Sequence, residues 1–138
     1  MFHIFDHIFE PSELLAECLR ILKPGGFILT LNHNVESWSA KLLGEKSPII
    51  DIGHTFLYSP STMQLIFEAN GFELIEQGRV WNTYSLTYLF HLIPLPRVLK
   101  EIGLRLLKAS AFGSLPLTLP LGNLYLIAKK PKVSCGLG

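Results

Sequence analysis

Three polar side chains follow the first strongly apolar run of the sequence. Asn32, His33 and Asn34 come directly after residues 27–31, which are almost all β-prone and apolar. Ligands of open α/β sheets bind beyond the carboxyl ends of the strands, so these amide and imidazole groups are candidates to bind and orient a small-molecule substrate. The alternative is ordinary loop capping, for which asparagine is well suited.

A second group of candidates lies further along the chain. His54 is a candidate general base, because histidine titrates near neutral pH. Tyr58 follows it and could pack its ring on a cationic or aromatic ligand, with a plain core position as the alternative. His3 and His7 are four residues apart, but Pro11 and the strand-like residues around them disfavour a helix there. The spacing therefore predicts no metal site.

Helix and strand signals alternate around these residues. Pro11 and the apolar positions after it predict a helix over residues 11–22, which Lys23-Pro24-Gly25-Gly26 ends. Residues 27–31 are apolar on both faces, which is typical of a parallel strand buried between helix layers. The order predicts an α/β fold.

The same alternation continues beyond Asn34. A second helix is predicted from Pro60, with Ser61 and Gln64 as its capping box and Gly71 after its end. Residues 72–80 and 123–128 read as strands.

Residues 81–120 form an insertion before the last strand. Residues 86–96 are nearly all apolar but too short to cross a bilayer, residues 97–108 predict a basic amphipathic helix, and residues 110–120 predict a loop. The insertion is predicted to be a lid over an apolar acceptor, or a peripheral membrane contact through residues 86–108. The alternative is an added helix that covers the sheet, with solvated charges.

Composition limits the class of protein. The 138 residues suit one domain, with 49% apolar and 17% charged residues, which excludes a disordered chain. A net charge of +1 argues against nucleic-acid binding. The two cysteines, Cys18 and Cys135, suggest no disulfide framework, and no signal peptide is recognised. The chain is therefore predicted to be cytoplasmic, with a membrane-peripheral position as a variant.

Several motifs in order carry a family resemblance. Phe5-Asp6-His7-Ile8-Phe9-Glu10-Pro11, then a helix, then Leu22-Lys23-Pro24-Gly25-Gly26 and an apolar strand, resemble the small-molecule branch of the class I S-adenosylmethionine-dependent methyltransferases. Asn70-Gly71-Phe72-Glu73 resembles the entry into that family's sixth strand. The resemblance covers about residues 2–80 and 121–131.

The resemblance implies S-adenosylmethionine as cofactor and methyl transfer to a small-molecule acceptor, and the apolar insertion suits an apolar acceptor. It implies that Phe2 and His3 end the fourth strand and line the methionine portion of the cofactor, and that His7 is the histidine of the following turn. A histidine that only fixes that turn is the alternative for His7.

One departure from the family pattern is important. No Gly-x-Gly motif stands near residue 1, and Gly25-Gly26 ends a helix instead of opening one after a strand. Residues 1–131 are therefore predicted to be the C-terminal part of a doubly wound, Rossmann-like methyltransferase sheet, and residues 132–138 a flexible tail. The chain alone is predicted to bind the cofactor poorly and to be inactive.

A reading from a different class remains open. The chain is alternatively a non-catalytic α/β module that binds a partner chain or a membrane through its apolar insertion. A sheet without its neighbouring half exposes a strand edge, which invites association with another chain.

Overall fold

The computed structural model describes residues 1–44, 47 and 54–132. The predicted tail, residues 132–138, lies outside the described residues except for Lys132. In chain order the elements are α1 (Pro11–Ile21), β1 (Phe27–His33), α2 (Trp38–Leu43), α3 (Pro60–Ala69), β2 (Glu73–Arg79), β3 (Asn82–Ser85), α4 (Leu86–Leu92), α5 (Arg97–Ala109), β4 (Pro116–Leu119) and β5 (Asn123–Lys129). Short 3₁₀ turns cover Phe5–His7 and Ala111–Ser114.

The main sheet has the order β1-β5-β2, with β5 antiparallel to both of its neighbours. The first residues of the chain extend this sheet. His3 N–H donates to the Leu31 carbonyl at 2.7 Å and Leu31 N–H donates to the Met1 carbonyl at 2.9 Å, so residues 1–3 run parallel to β1. The carboxyl ends of this first segment and of β1 therefore meet at one edge of the sheet.

Helix α1 begins and ends where the sequence predicts. Pro11 occupies its first turn, and Gly25, at φ +80°, forms the turn that follows it. Gly25 N–H donates to the Lys130 carbonyl at 2.9 Å, and the Lys130 ammonium donates to the Leu19 and Leu22 carbonyls at the end of the helix. The last strand is thus fastened to the first helix.

Helix α3 begins with a different cap from the predicted one. Ser59 is the N-cap, and its hydroxyl and that of Thr62 form the capping box, in place of Ser61 and Gln64. The reason is that Pro60 takes the first helical position, so the cap must precede it.

The core lies between one face of the sheet and helices α1 and α3. Its members are buried side chains from both helices, from β1 and β5 and from the loops between them: Phe5, Leu15, Ile28, Tyr58, Met63, Phe67, Phe72, Leu124, Leu126 and Ala128.

The opposite face of the sheet is open. Strand β1 alternates between buried and accessible positions, with Phe27 60% and Leu29 42% exposed. The prediction that β1 is covered on both faces is therefore wrong for the described residues. The apolar run of β1 does not predict whether its second face is covered, because the elements that would cover it lie outside the strand.

The insertion contains strands as well as helices. Strands β3 and β4 pair antiparallel into a two-stranded sheet, so the prediction of a loop over residues 110–120 is wrong in part. The reason is that Pro116 begins β4, where a missing N–H is tolerated. Helices α4 and α5 pack so closely that a Cβ on Gly103 would meet the Phe90 ring at 2.4 Å. None of the helices in the described part of the chain is long and apolar enough to cross a membrane.

Candidate functional site

Four of the five histidines meet at the carboxyl ends of the first segment and β1. The ring centroids of His3 and His33 are 4.6 Å apart, those of His33 and His54 4.9 Å, and those of His7 and His54 4.8 Å. We call these four rings, together with Asp6, the histidine cluster. The sequence spreads its members over more than 50 positions, and the fold brings them together.

Two local features hold the first of these histidines. His3 has a φ of +49°, a left-handed conformation that is uncommon for a residue other than glycine. It is the last residue of the segment that pairs with β1, so the chain turns sharply off the sheet edge there. This turn carries the His3 ring onto His33.

Asp6 lies at the centre of the cluster and is only 1% exposed. Its Oδ2 is 3.8 Å from His54 Nε2 and its Oδ1 is 4.0 Å from His7 Nε2. The Asp6 carbonyl accepts hydrogen bonds from Thr55 N–H at 2.9 Å and Phe56 N–H at 3.1 Å. The backbone of Asp6 therefore holds the segment that carries His54.

His33 lies on the open face of the sheet, opposite Asn123 on β5. Its Nδ1 is 3.1 Å from Asn123 Oδ1, which can only accept, so Nδ1 carries the proton and Nε2 has its lone pair free. Burial lowers the pKa of His33 from its usual value, with a further lowering by His3, against the raising effects of Asp6 and Asn123. The hydrogen bond to Asn123 thus favours one tautomer of the neutral His33 ring.

His54 is the predicted general base. Its side chain is 9% exposed, and it lies between the rings of His7 and His33 with Nε2 toward Asp6. His33, by contrast, borders an open cavity. The role of His54 stays a prediction.

The two asparagines beside His33 support the backbone. Asn34 Oδ1 accepts from Glu36 N–H at 2.9 Å and so forms the turn after β1. Asn32 points to the covered face, where its amide oxygen, in the orientation that satisfies both groups, accepts from Asp6 N–H at 3.3 Å. Only His33 of the three faces the open side, and acceptor binding by the two asparagines stays a prediction.

The remaining predicted residues lie around the cluster. Tyr58 is in the core, with its ring 5.2 Å from Phe5, and burial, together with the charge of Asp6, raises its pKa to about 12. Phe2 is 61% exposed at the edge of the sheet. His7 stacks on His54 and is half-exposed. The predicted cofactor contacts of Phe2, His3 and His7 stay predictions.

Two adjoining cavities lie beside the cluster. The first, of about 200 Å³, reaches His33 and Asn123 and has Tyr84 and Tyr88 on its other wall. These two tyrosine rings are stacked with their centroids 5.4 Å apart. We call it the strand-end cavity.

The second cavity, of about 520 Å³, lies between α2 and the insertion. It shares Ser39, Leu92 and Leu121 with the strand-end cavity. We call it the insertion cavity. Its wall is almost entirely apolar and is formed mainly by Trp38, Leu42, Leu43, Leu89, Leu92, Ile93, Pro94, Leu119, Pro120 and Leu121. A molecule with an apolar body and one polar end would fit the two cavities together.

Two residues of the site, Asp6 and Asn123, are not among the candidates that the sequence predicts. Asp6 stands directly before His7 in the motif that carries the family resemblance, and this position was the available signal. Asn123 lies 90 positions from His33, so its pairing with His33 has no signal in the sequence.

Comparison with known proteins identifies the family of the chain. The sequence profile of a family described as "Methyltransferase domain" matches residues 1–77, more than half of the chain. A comparison with curated proteins finds no match.

Solved structures share the fold at low sequence identity. A Bacillus halodurans protein assigned as a methyltransferase has a TM-score of 0.57 at 18% identity, with 95% of this chain and 68% of the other covered. SAM-dependent methyltransferases from Thermotoga maritima and Archaeoglobus fulgidus give TM-scores of 0.55 and 0.51 at 17% and 21% identity, with 94% of this chain covered in each case.

This chain spans 53% of the Thermotoga protein and 57% of the Archaeoglobus protein. The predicted α/β, Rossmann-like fold is confirmed. Both the fold and the family profile agree with the resemblance seen in the sequence, and the chain belongs to the methyltransferase domain family.

Proposed function

We propose that this chain is the acceptor-binding part of an S-adenosylmethionine-dependent methyltransferase and that its acceptor is a small molecule with an apolar body. The observation that carries the proposal is the insertion cavity, an apolar space of about 520 Å³ that adjoins the carboxyl ends of the strands. In open α/β sheets that edge is where ligands bind.

The glycine turn at Gly25-Gly26 does not fit the donor. A glycine-rich turn binds a nucleotide when its peptide N–H groups face the ligand. Here Gly25 N–H donates to the Lys130 carbonyl and Lys130 N–H donates to the Gly26 carbonyl, so this turn is used to join α1 to β5. This turn therefore does not bind the adenosine of the donor.

The open face of the sheet supports a donor-binding half outside these 138 residues. Phe27 and Leu29 are exposed on that face, and Phe2 is exposed at the edge beside it. A sheet buried on both faces in the complete enzyme would cover these side chains. We propose that a donor-binding half packs there and that the present chain alone transfers no methyl group.

The chain's own contribution is placement of the acceptor. The apolar body would lie against Trp38 and Leu92, with its polar end in the strand-end cavity beside His33. Alignment of a nucleophile with a transferable methyl group can supply much of the rate enhancement. The insertion acts in this proposal as the acceptor lid.

Isothermal titration with S-adenosylhomocysteine tests the donor half of the proposal. We expect no binding in the micromolar range by the 138-residue chain. Micromolar binding at one site per chain would show that these residues hold the donor by themselves.

Fluorescence tests the acceptor half. The chain has two tryptophans, and Trp81→Phe leaves Trp38, in the cavity wall, as the only one. We expect 4-octylphenol, a probe with an apolar body and one hydroxyl, to change the Trp38 emission saturably. Leu92→Asp places a carboxylate in the apolar wall, so it should weaken this binding at least about tenfold. A tenfold loss of affinity corresponds to about 1.4 kcal/mol.

The matched control is Leu65→Asp, at a position 66% exposed on α3. Equal affinity in the two aspartate variants would refute the acceptor site.

A second candidate function rests on helix α5. Its apolar line, Leu99, Ile102 and Leu106, is more than half exposed and so does not cover the sheet. Four basic residues and one acidic residue, Arg97, Lys100, Glu101, Arg105 and Lys108, give the same helix a net charge of +3. A basic helix with an exposed apolar side is suited to the surface of an anionic membrane.

Co-sedimentation with vesicles tests this second candidate. We expect the chain to pellet with anionic vesicles above the level seen with neutral ones, and less so in high salt. Leu106→Asp should abolish the excess, and Leu65→Asp should leave it unchanged. No excess with the unmodified chain would refute membrane binding.

A further inference from the structure

The carboxylate of Asp6 is buried without a bonded partner. Neither of its oxygens has a hydrogen bond within the described residues, and the residue is 1% exposed. A carboxylate taken out of water is strongly unfavourable unless a hydrogen-bond donor or a cation compensates it. The Nε2 atoms of His54 and His7 lie 3.8 and 4.0 Å from its oxygens, beyond hydrogen-bond distance.

Two imidazoles beside Asp6 each have a ring nitrogen without a hydrogen bond in the described residues. His3 Nδ1 is buried and has no hydrogen bond within the described part of the chain. His33 Nε2 has its lone pair free because Nδ1 donates to Asn123. One potential ligand atom from each of His3, Asp6 and His33 lies within 4.8 Å of the others.

We propose that His3, Asp6 and His33 form a binding site for a divalent transition-metal ion of the zinc type. Two imidazole nitrogens and one carboxylate oxygen are a donor set that zinc and its neighbours in the first row accept. Magnesium and calcium prefer sites made of oxygen atoms, so this set selects against them. The ion would compensate the buried carboxylate.

The side chains need to close on the ion by a small amount. Zinc–ligand bonds of about 2.0–2.2 Å in a tetrahedral site place the ligand atoms roughly 3.3 Å apart. The ligand atoms, now within 4.8 Å of one another, would therefore have to approach by up to roughly 1.5 Å. Asn123 already holds His33 in the required tautomer, as a partner behind a metal-bound histidine does.

The strand-end cavity leaves the fourth position accessible. His33 lines this cavity of about 200 Å³. Water or a nitrogen or oxygen atom of a small molecule could therefore complete the coordination from that side. The site does not depend on the proposed methyl transfer, because its ligands all lie within this chain.

Metal titration of the purified chain tests the proposal. The chain is treated with a chelator, and binding of Zn²⁺ is then followed by calorimetry and by metal analysis after gel filtration. We expect one ion per chain. Binding of Co²⁺ should give the intense visible absorption of a four-coordinate ion.

Two kinds of variant separate a site from general loss of structure. His33→Gln and Asp6→Asn should each lower the affinity for Zn²⁺ at least about tenfold, and the accessible His33 serves if the buried Asp6 variant fails to fold. His91→Gln, on α4 and outside the cluster, is the matched control and should bind as the unmodified chain does.

Two outcomes would overturn the assignment. One is the absence of stoichiometric Zn²⁺ binding by the unmodified chain. The other is full binding by His33→Gln together with loss of binding by His54→Gln. That second pattern would place the ion at Asp6, His7 and His54, a neighbouring group of three with comparable spacing.

Discussion

The effect of Gly103→Ala on the free energy of unfolding should change sign with the residue at position 90, which lies opposite on α4. Gly103 lies in the interior of α5, where alanine normally stabilises a helix by about 0.5–1 kcal/mol relative to glycine. Here the new Cβ would meet two Phe90 ring carbons at 2.4 and 2.6 Å. Ordinary contacts between carbons are about 3.5–4.0 Å, so the overlap exceeds about 1 Å.

The magnitude follows from these two opposing effects. Overpacking of this kind costs about 1–3 kcal/mol. After subtraction of the helix preference, Gly103→Ala should lower the free energy of unfolding by up to about 2.5 kcal/mol in the unmodified chain, with a central value of about 1 kcal/mol. In a Phe90→Ala chain the ring is gone, so the same change should raise it by about 0.5–1 kcal/mol.

Urea unfolding of the four chains in this double-mutant cycle measures the effect, followed by circular dichroism and by hydrogen exchange at the α5 amides. The exchange data report on α5 even if the insertion opens separately from the main sheet. An effect of Gly103→Ala with the same sign and size in both backgrounds would refute the proposed contact between α5 and α4.

Three further predictions concern the core and the α3 cap. Phe67→Ala removes a fully buried ring that lies 5.5 Å from Phe5, so it should cost about 3–5 kcal/mol in urea unfolding, whereas Leu65→Ala on the exposed side of the same helix should cost under about 0.5 kcal/mol. Ser59→Ala removes the N-cap of α3 and should cost about 1 kcal/mol by the same measurement, with an unchanged midpoint counting against the cap. The Tyr58 pKa is raised in the folded chain, to about 12 from 10, so its contribution to stability is complete below pH 10 and is lost as the pH rises to 12. Tyr58→Phe should lack that loss, on the order of 2 kcal/mol, when the two chains are unfolded at pH 9 and pH 12.

Local signals in the sequence located the elements of the sheet layer. Pro11 and the glycines after Lys23 bound α1 in the structure as they do in the sequence, because a missing N–H and a positive φ act within a few residues. The predicted N-cap of α3 is wrong by two residues, because both Ser59 and Ser61 have a hydroxyl that can cap a helix. Only the position of Pro60 decides between them.

Contacts between residues that are far apart along the chain could not be predicted from the sequence. The open side of β1 depends on which elements cover it, and the apolar pattern of residues 27–31 is the same in either case. The cluster around Asp6 joins residues 3, 6, 7, 33 and 54, whose spacing matches no metal motif. The sequence predicts His33 as a site residue from its place after a strand. It does not predict that Asp6 and Asn123 belong to the same site.

The position of β5 sets a condition on how this chain folds during synthesis. The strand that lies between β1 and β2 is the last of the three to leave the ribosome. Neither β1 nor β2 has its antiparallel neighbour until about residue 129 is available. Among the described residues, both named ladders of the main sheet include β5, and only isolated bridges, at Phe2 with Leu31 and at Asn34 with Tyr58, form without it. Nascent chains that stop before residue 123 should therefore remain sensitive to protease, and protection should arise in a single step once the last strand emerges.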